Sequence, residues 1–95
     1  MRAYEVMYII NPELDEEQTT AVTEKFKGII ENNGGELVKL DKWGKRRLAY
    51  EINRKREGFY ILMHYKGKPE IAHELDRVFK ITDEVIKHLI LREED

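Results

Sequence analysis

The stretch Leu48-Ala49-Tyr50-Glu51-Ile52-Asn53-Arg54-Lys55-Arg56-Glu57-Gly58-Phe59-Tyr60-Ile61-Leu62-Met63-His64-Tyr65 decides how this chain folds. Leu48, Tyr50 and Ile52 recur with a period of two, and Phe59 to Tyr65 is apolar on both faces of an extended chain. Between them, Asn53–Gly58 is polar, basic and turn-forming. This pattern reads as a β-hairpin whose second strand is buried on both sides. The first strand of the hairpin reaches back to Glu36 through Leu37, Val38 and Leu40, and Gly44 within it marks a bend or bulge.

Each side of the hairpin carries a helix and then a strand. Upstream, Glu16 to Asn33 repeats apolar residues at helical spacing (Val22, Phe26, Ile29, Ile30). Asp15 with Gln18 three residues on forms a capping-box signature, and Gly34 or Gly35 suits the left-handed end. Before it, Ala3–Ile10 places Tyr4, Val6, Tyr8 and Ile10 on one face and Ala3, Glu5, Met7 and Ile9 on the other. Asn11-Pro12 stops this strand. Downstream, Pro69 opens a helix with the stripe Ile71, Ala72, Leu75, Val78 and Phe79. Ile81-Thr82-Asp83 turns the chain into a last strand, Val85–Leu91, and Arg92–Asp95 is expected to fray.

The order β-α-β-β-α-β, with right-handed crossovers, interleaves as a four-stranded antiparallel sheet of order 4-1-3-2. Both helices cover one face. The first and third strands become central, as their two apolar faces require. The other face, with Ala3, Met7 and Ile9, is expected to meet a partner or to show an aliphatic patch.

Ninety-five residues suit a single domain, 1–95, with a radius of gyration of about 12 Å. The 41% hydrophobic content excludes wholesale disorder, and no apolar run nears the ~18 residues of a membrane span. Cysteine is absent, so disulfides and thiolate zinc sites are excluded; serine is absent too, which leaves threonine as the remaining hydroxyl nucleophile of the usual kind. His64, His73 and His88 lack metal-ligand spacing, and no catalytic constellation or cofactor motif appears. A cytoplasmic protein is the expectation, monomeric in isolation and without a membrane partner.

The net charge of −2 conceals a segregation. Between Glu36 and Lys68 ten lysines and arginines face four acids, a local charge of +6, while the remainder of the chain carries −8. Screening acts over about 8 Å in cell-like salt, so a polyanion on the middle segment feels mainly that segment. Arginine forks match phosphate oxygens. Trp43 beside Arg46 and Arg47 either stacks on an unpaired base or packs on the hairpin, and packing is favoured. Arg46 and Arg47 point to opposite faces of their strand, and Arg54, Lys55 and Arg56 sit at the hairpin tip. The third strand, Arg56-Glu57-Gly58-Phe59-Tyr60-Ile61-Leu62-Met63, only faintly echoes an RNA-recognition motif, so phosphate contact is favoured over base stacking on the sheet.

Met1-Arg2-Ala3-Tyr4-Glu5, Asn11-Pro12 and above all Trp43-Gly44-Lys45-Arg46-Arg47-Leu48-Ala49-Tyr50-Glu51-Ile52 followed by Gly58-Phe59-Tyr60 resemble the bacterial small-subunit ribosomal protein six family, from Met1 to about Arg92. The resemblance implies a ferredoxin-like α+β fold. It also implies a non-enzymatic role: binding small-subunit ribosomal RNA in the central domain, or platform, together with ribosomal protein eighteen of that subunit. Arg2, Arg46 and Arg47 match basic positions of the family, and Lys87 and Arg92 match weaker ones. With Lys45, Arg54 and Arg56 of the basic segment they are the candidate RNA contacts. Two alternatives on the same fold are an acylphosphatase-like hydrolase and a homo-oligomeric regulatory domain.

Overall fold

Six elements follow from these local signals: β1 (Arg2–Ile10), α1 (Glu16–Asn32), β2 (Glu36–Ile52), β3 (Lys55–Gly67), α2 (Pro69–Lys80) and β4 (Val85–Arg92). The computed structural model describes residues 2–93. All strand pairs are antiparallel, in the order β2-β3-β1-β4, and β1 and β3 are central. The radius of gyration is 12.9 Å.

Alternation decides which residues enter the core. Tyr4, Val6, Tyr8 and Ile10 of β1 and Ile61, Met63 and Tyr65 of β3 are buried beneath the helices. Val22, Phe26 and Ile30 of α1 and Ile71, Leu75, Val78 and Phe79 of α2 meet them. Phe79 lies at the centre: its ring is 4.0 Å from Phe26 and 5.1 Å from Tyr8, centroid to centroid. The capping box of α1 forms as the sequence predicts. Asp15 Oδ1 accepts the Gln18 N–H at 2.8 Å, and Gln18 Oε1 accepts the Asp15 N–H at 3.1 Å.

The hairpin differs from expectation. Its turn is only Asn53-Arg54, with φ of 49° and 65°. Two consecutive left-handed residues give the primed turn whose twist matches that of the strands. Ile52 therefore pairs with Lys55, and Lys55, Arg56 and Glu57 belong to β3 rather than to a loop. Pairing with β2, not hydrophobicity, makes them strand. The chain end also differs. Arg92 closes β4 and the Glu93 N–H donates to the Ala3 carbonyl at 2.9 Å, so these two residues are held to the sheet. The expectation for Glu94 and Asp95 lies outside the described residues.

Asp76 fastens α2 to β4. Its two carboxylate oxygens lie 2.8 Å from Lys80 Nζ and 2.8 Å from His88 Nε2, and the His88 ring stacks on Phe79 at 4.8 Å. The hydrogen bonds from Lys80 and then His88 hold this carboxyl below its ordinary value of 3.8. A depressed folded value means stabilisation that is complete above the unfolded value and lost as pH falls through the folded one. Asp76→Asn is therefore expected to lower stability at neutral pH by no more than about 1 kcal/mol, because the pair is exposed and screened. Urea melts at descending pH check this: the gap between the two proteins should close below about pH 4, and a gap that stayed constant into strong acid would exclude the linkage.

Candidate nucleic-acid interface

β1 pairs with β3 only from Phe59 onward, opposite Ile10. Beyond that point β2 and β3 continue alone, so Lys45–Glu57 forms a two-stranded ribbon projecting past the central sheet. It carries six basic and two acidic residues. Among the described residues, two side-chain hydrogen bonds tie it to the rest of the domain. Lys55 Nζ donates to Glu13 Oε1 at 2.6 Å, in the β1–α1 connection. On the opposite side Lys87 Nζ donates to the Tyr50 hydroxyl at 2.9 Å and sits 5.1 Å from that ring's centroid. The hydrogen bond to Tyr50, with its charge field, holds the Lys87 ammonium above the usual lysine range.

A bulge shapes the base of the ribbon. Register shifts between Lys42 and Gly44, which leaves Trp43 as the extra residue, and Gly44 adopts φ of +80°. A left-handed glycine is what such a bulge requires. The bulge turns Trp43 onto the face opposite the helices, where it stacks on Tyr60 at 6.5 Å with the rings 11° apart. The Arg46 guanidinium lies 5.0 Å from the Trp43 ring and its Nε donates to the Trp43 carbonyl at 3.5 Å. Trp43 remains 45% exposed in this arrangement.

Arg46 is opposite Gly58 and Arg47 opposite Glu57, so the two arginines do project to opposite faces of the ribbon. Lys45, opposite Phe59, holds its ammonium 5.4 Å from that ring. Arg56 lies 3.9 Å from Glu51 and Lys39 lies 3.3 Å from Asp41. Among the described residues, Lys42, Lys45, Arg46, Arg47 and Arg54 have no carboxylate partner within ion-pair distance. Arg54 occupies a left-handed turn position that costs a non-glycine residue about 1–2 kcal/mol.

The remaining candidates divide. Lys87, opposite Ile9, belongs with the ribbon through Tyr50. Arg2 and Arg92 stand at the other end of the sheet. Arg92 is opposite Tyr4 and Arg2 starts β1, both exposed and on the helix-covered side. About six strand residues, roughly 20 Å, separate them from Lys87. Sequence reasoning did not anticipate the Tyr50–Lys87 contact or the Trp43–Tyr60 stack, because both depend on cross-strand register. The open face carries an aliphatic row: Met7 lies between Leu62 and Leu89, with Leu89 44% and Leu91 49% exposed, whereas Ile9, expected in that row, is buried.

The sheet order and the two helices on one face define a ferredoxin-like α+β protein, and its concentrated chemical feature is a cationic ribbon. Residues 3–92 match the family model described as ribosomal protein S6. A small ribosomal subunit protein bS6 of Desulforamulus reducens is 60% identical over 93 residues, covering 98% of each chain. One from Carboxydothermus hydrogenoformans is 55% identical over 94 residues, covering 99% of this chain and 98% of the relative. The crystal structure of 30S ribosomal protein S6 from Thermotoga maritima superposes with a TM-score of 0.93 at 33% identity, covering 97% of this chain and 87% of that one. The chain belongs to the ribosomal protein S6 family. It is accordingly a structural protein of the small ribosomal subunit in the cytoplasm, not an enzyme, and the hydrolase alternative falls away.

Proposed function

We propose that the chain binds small-subunit ribosomal RNA in the central domain, or platform, through the Lys45–Glu57 ribbon, in company with ribosomal protein eighteen of the same subunit. One observation carries this reading: five cations of the basic segment, Lys42, Lys45, Arg46, Arg47 and Arg54, have no carboxylate partner among the described residues. Cations neutralised internally release no counterions from a polyanion, whereas unpaired ones do. Arg46, Arg47, Lys45, Arg54, Arg56 and Lys87 make one contact group, and Arg2 with Arg92 a second at the far end of the sheet. Trp43 is half covered by Arg46 and Tyr60, which favours phosphate and shape recognition over base stacking. A 95-residue domain offers only a modest basic area, so a second basic protein raises the number of simultaneous contacts. Alone, the protein is a monomer in this reading.

The test is a salt series. Affinity for central-domain RNA in the presence of ribosomal protein eighteen should fall with a log–log slope of about −2 to −4, corresponding to roughly three to five phosphate contacts. Binding that is indifferent to salt would sink the proposal.

A further inference from the structure

The open face of the sheet carries a polar cluster at the end away from the ribbon. Glu5 and His64 are cross-strand partners on β1 and β3. Glu93 follows β4, fixed by its N–H to the Ala3 carbonyl at 2.9 Å, and brings its Oε1 to 2.6 Å from His64 Nδ1. One ligand atom from each of Glu5, His64 and Glu93 lies within 4.8 Å of the other two, and all three residues are half-buried. Two strands and the segment after a third thus converge on one point, which linear spacing at positions 5, 64 and 93 conceals.

Glu5 is the telling residue. It stands on a central strand next to the Met7 row, and among the described residues its side chain has neither a hydrogen bond nor an ion pair. A half-buried carboxylate without a partner is costly. Glu93 is answered by His64 at 2.6 Å, and Glu5 has no such contact.

We infer that Glu5, His64 and Glu93 form a site for a divalent cation of the zinc class. One imidazole nitrogen with two carboxylate oxygens suits a borderline-soft ion, whereas magnesium and calcium favour all-oxygen shells. Two carboxylates balance the charge of the ion, and a fourth position is left for water. Tetrahedral bonds of 2.0–2.2 Å place ligand atoms about 3.4 Å apart. The His64–Glu93 contact therefore has to open by about 0.8 Å, a change that the side-chain torsions of Glu93 supply, while Glu5 closes in. Lys39, opposite His64, weakens the site by its charge, but its ammonium is already held by Asp41 at 3.3 Å.

The experiment is calorimetric titration of the full-length, chelator-stripped protein with zinc chloride at neutral pH. One zinc per chain is expected. His64→Gln and Glu5→Gln should each weaken binding at least tenfold, and His88→Gln, which removes a histidine paired to a single carboxylate, should leave it intact. Zinc at a hundredfold excess over its dissociation constant should raise the melting temperature by more than about 5 °C. Should Glu5→Gln fail to fold, Glu93→Gln at the chain end supplies the second carboxylate test. Absence of saturable heat overturns the site, as does binding that survives His64→Gln.

Discussion

Phe79→Ala should unfold this protein at a denaturant concentration far below that of the parent, with a loss of about 3–5 kcal/mol. Phe79 is 2% exposed and its ring meets three others: Phe26 at 4.0 Å, Tyr8 at 5.1 Å and the His88 imidazole at 4.8 Å. Truncation removes the transfer free energy of the ring and leaves a cavity between α1, α2 and β1. The stacked and tilted pairs add about 0.5–1.5 kcal/mol each beyond buried area. A domain of this length has a total stability of roughly 5–14 kcal/mol, so the variant stands near the edge of folding. Urea melts should show a lower midpoint with an unchanged slope, which separates lost stability from a change in the denatured state. The thermal midpoint should drop by at least about 12 °C. Phe79→Leu should recover more than half of the loss, because it refills most of the volume. A loss under about 2 kcal/mol for the alanine variant would show that the helices collapse onto β1 and that the ring cluster is not the keystone of the core.

The same cluster explains why the architecture could be read from the chain. Ala3–Ile10 and Phe59–Tyr65 are apolar on both sides, and only a central strand of a covered sheet asks for that. Once both are central, the helical stripes and the handedness of the crossovers leave one strand order. The hairpin tip resisted reading for a physical reason. Lys55-Arg56-Glu57 has loop-like composition and becomes strand because β2 lies alongside. Arg54 stands where a glycine or asparagine would announce the primed turn, so the turn appeared longer than its two residues. Gly58 closes the turn-forming stretch of the sequence, but its role in the structure is close approach: a Cβ there would meet Ile9 Cγ2 at 2.2 Å. The cationic ribbon was legible because its charges are contiguous in the chain. Its division from Arg2 and Arg92, and its tie to Lys87 through Tyr50, follow from register, to which local composition is blind.

Arg46→Glu combined with Arg47→Glu should weaken binding to central-domain RNA about a hundredfold and flatten its salt dependence. The two guanidiniums leave opposite faces of the ribbon, and among the described residues neither has a carboxylate partner. A charge-assisted hydrogen bond is worth about 1.5 kcal/mol or more, roughly tenfold in affinity, and reversal adds repulsion from the phosphates. Each lost phosphate contact removes about one unit of log–log salt slope, so the double variant should lose about two. Folding should be affected by no more than about 0.5 kcal/mol, since both side chains are exposed. That separation matters, because a binding defect with an intact melting curve cannot be ascribed to unfolding. The single variants should differ from each other. Arg46 is also stacked on Trp43 at 5.0 Å, so Arg46→Glu frees the indole, and its fluorescence should report the change even without RNA. Arg2→Glu, at the far end of the sheet, should cost less than the double reversal and leave tryptophan emission unchanged. Measurements at several salt concentrations decide the matter: an unchanged slope in the double variant would mean that the ribbon does not grip the phosphate backbone, whatever the affinity at any one concentration.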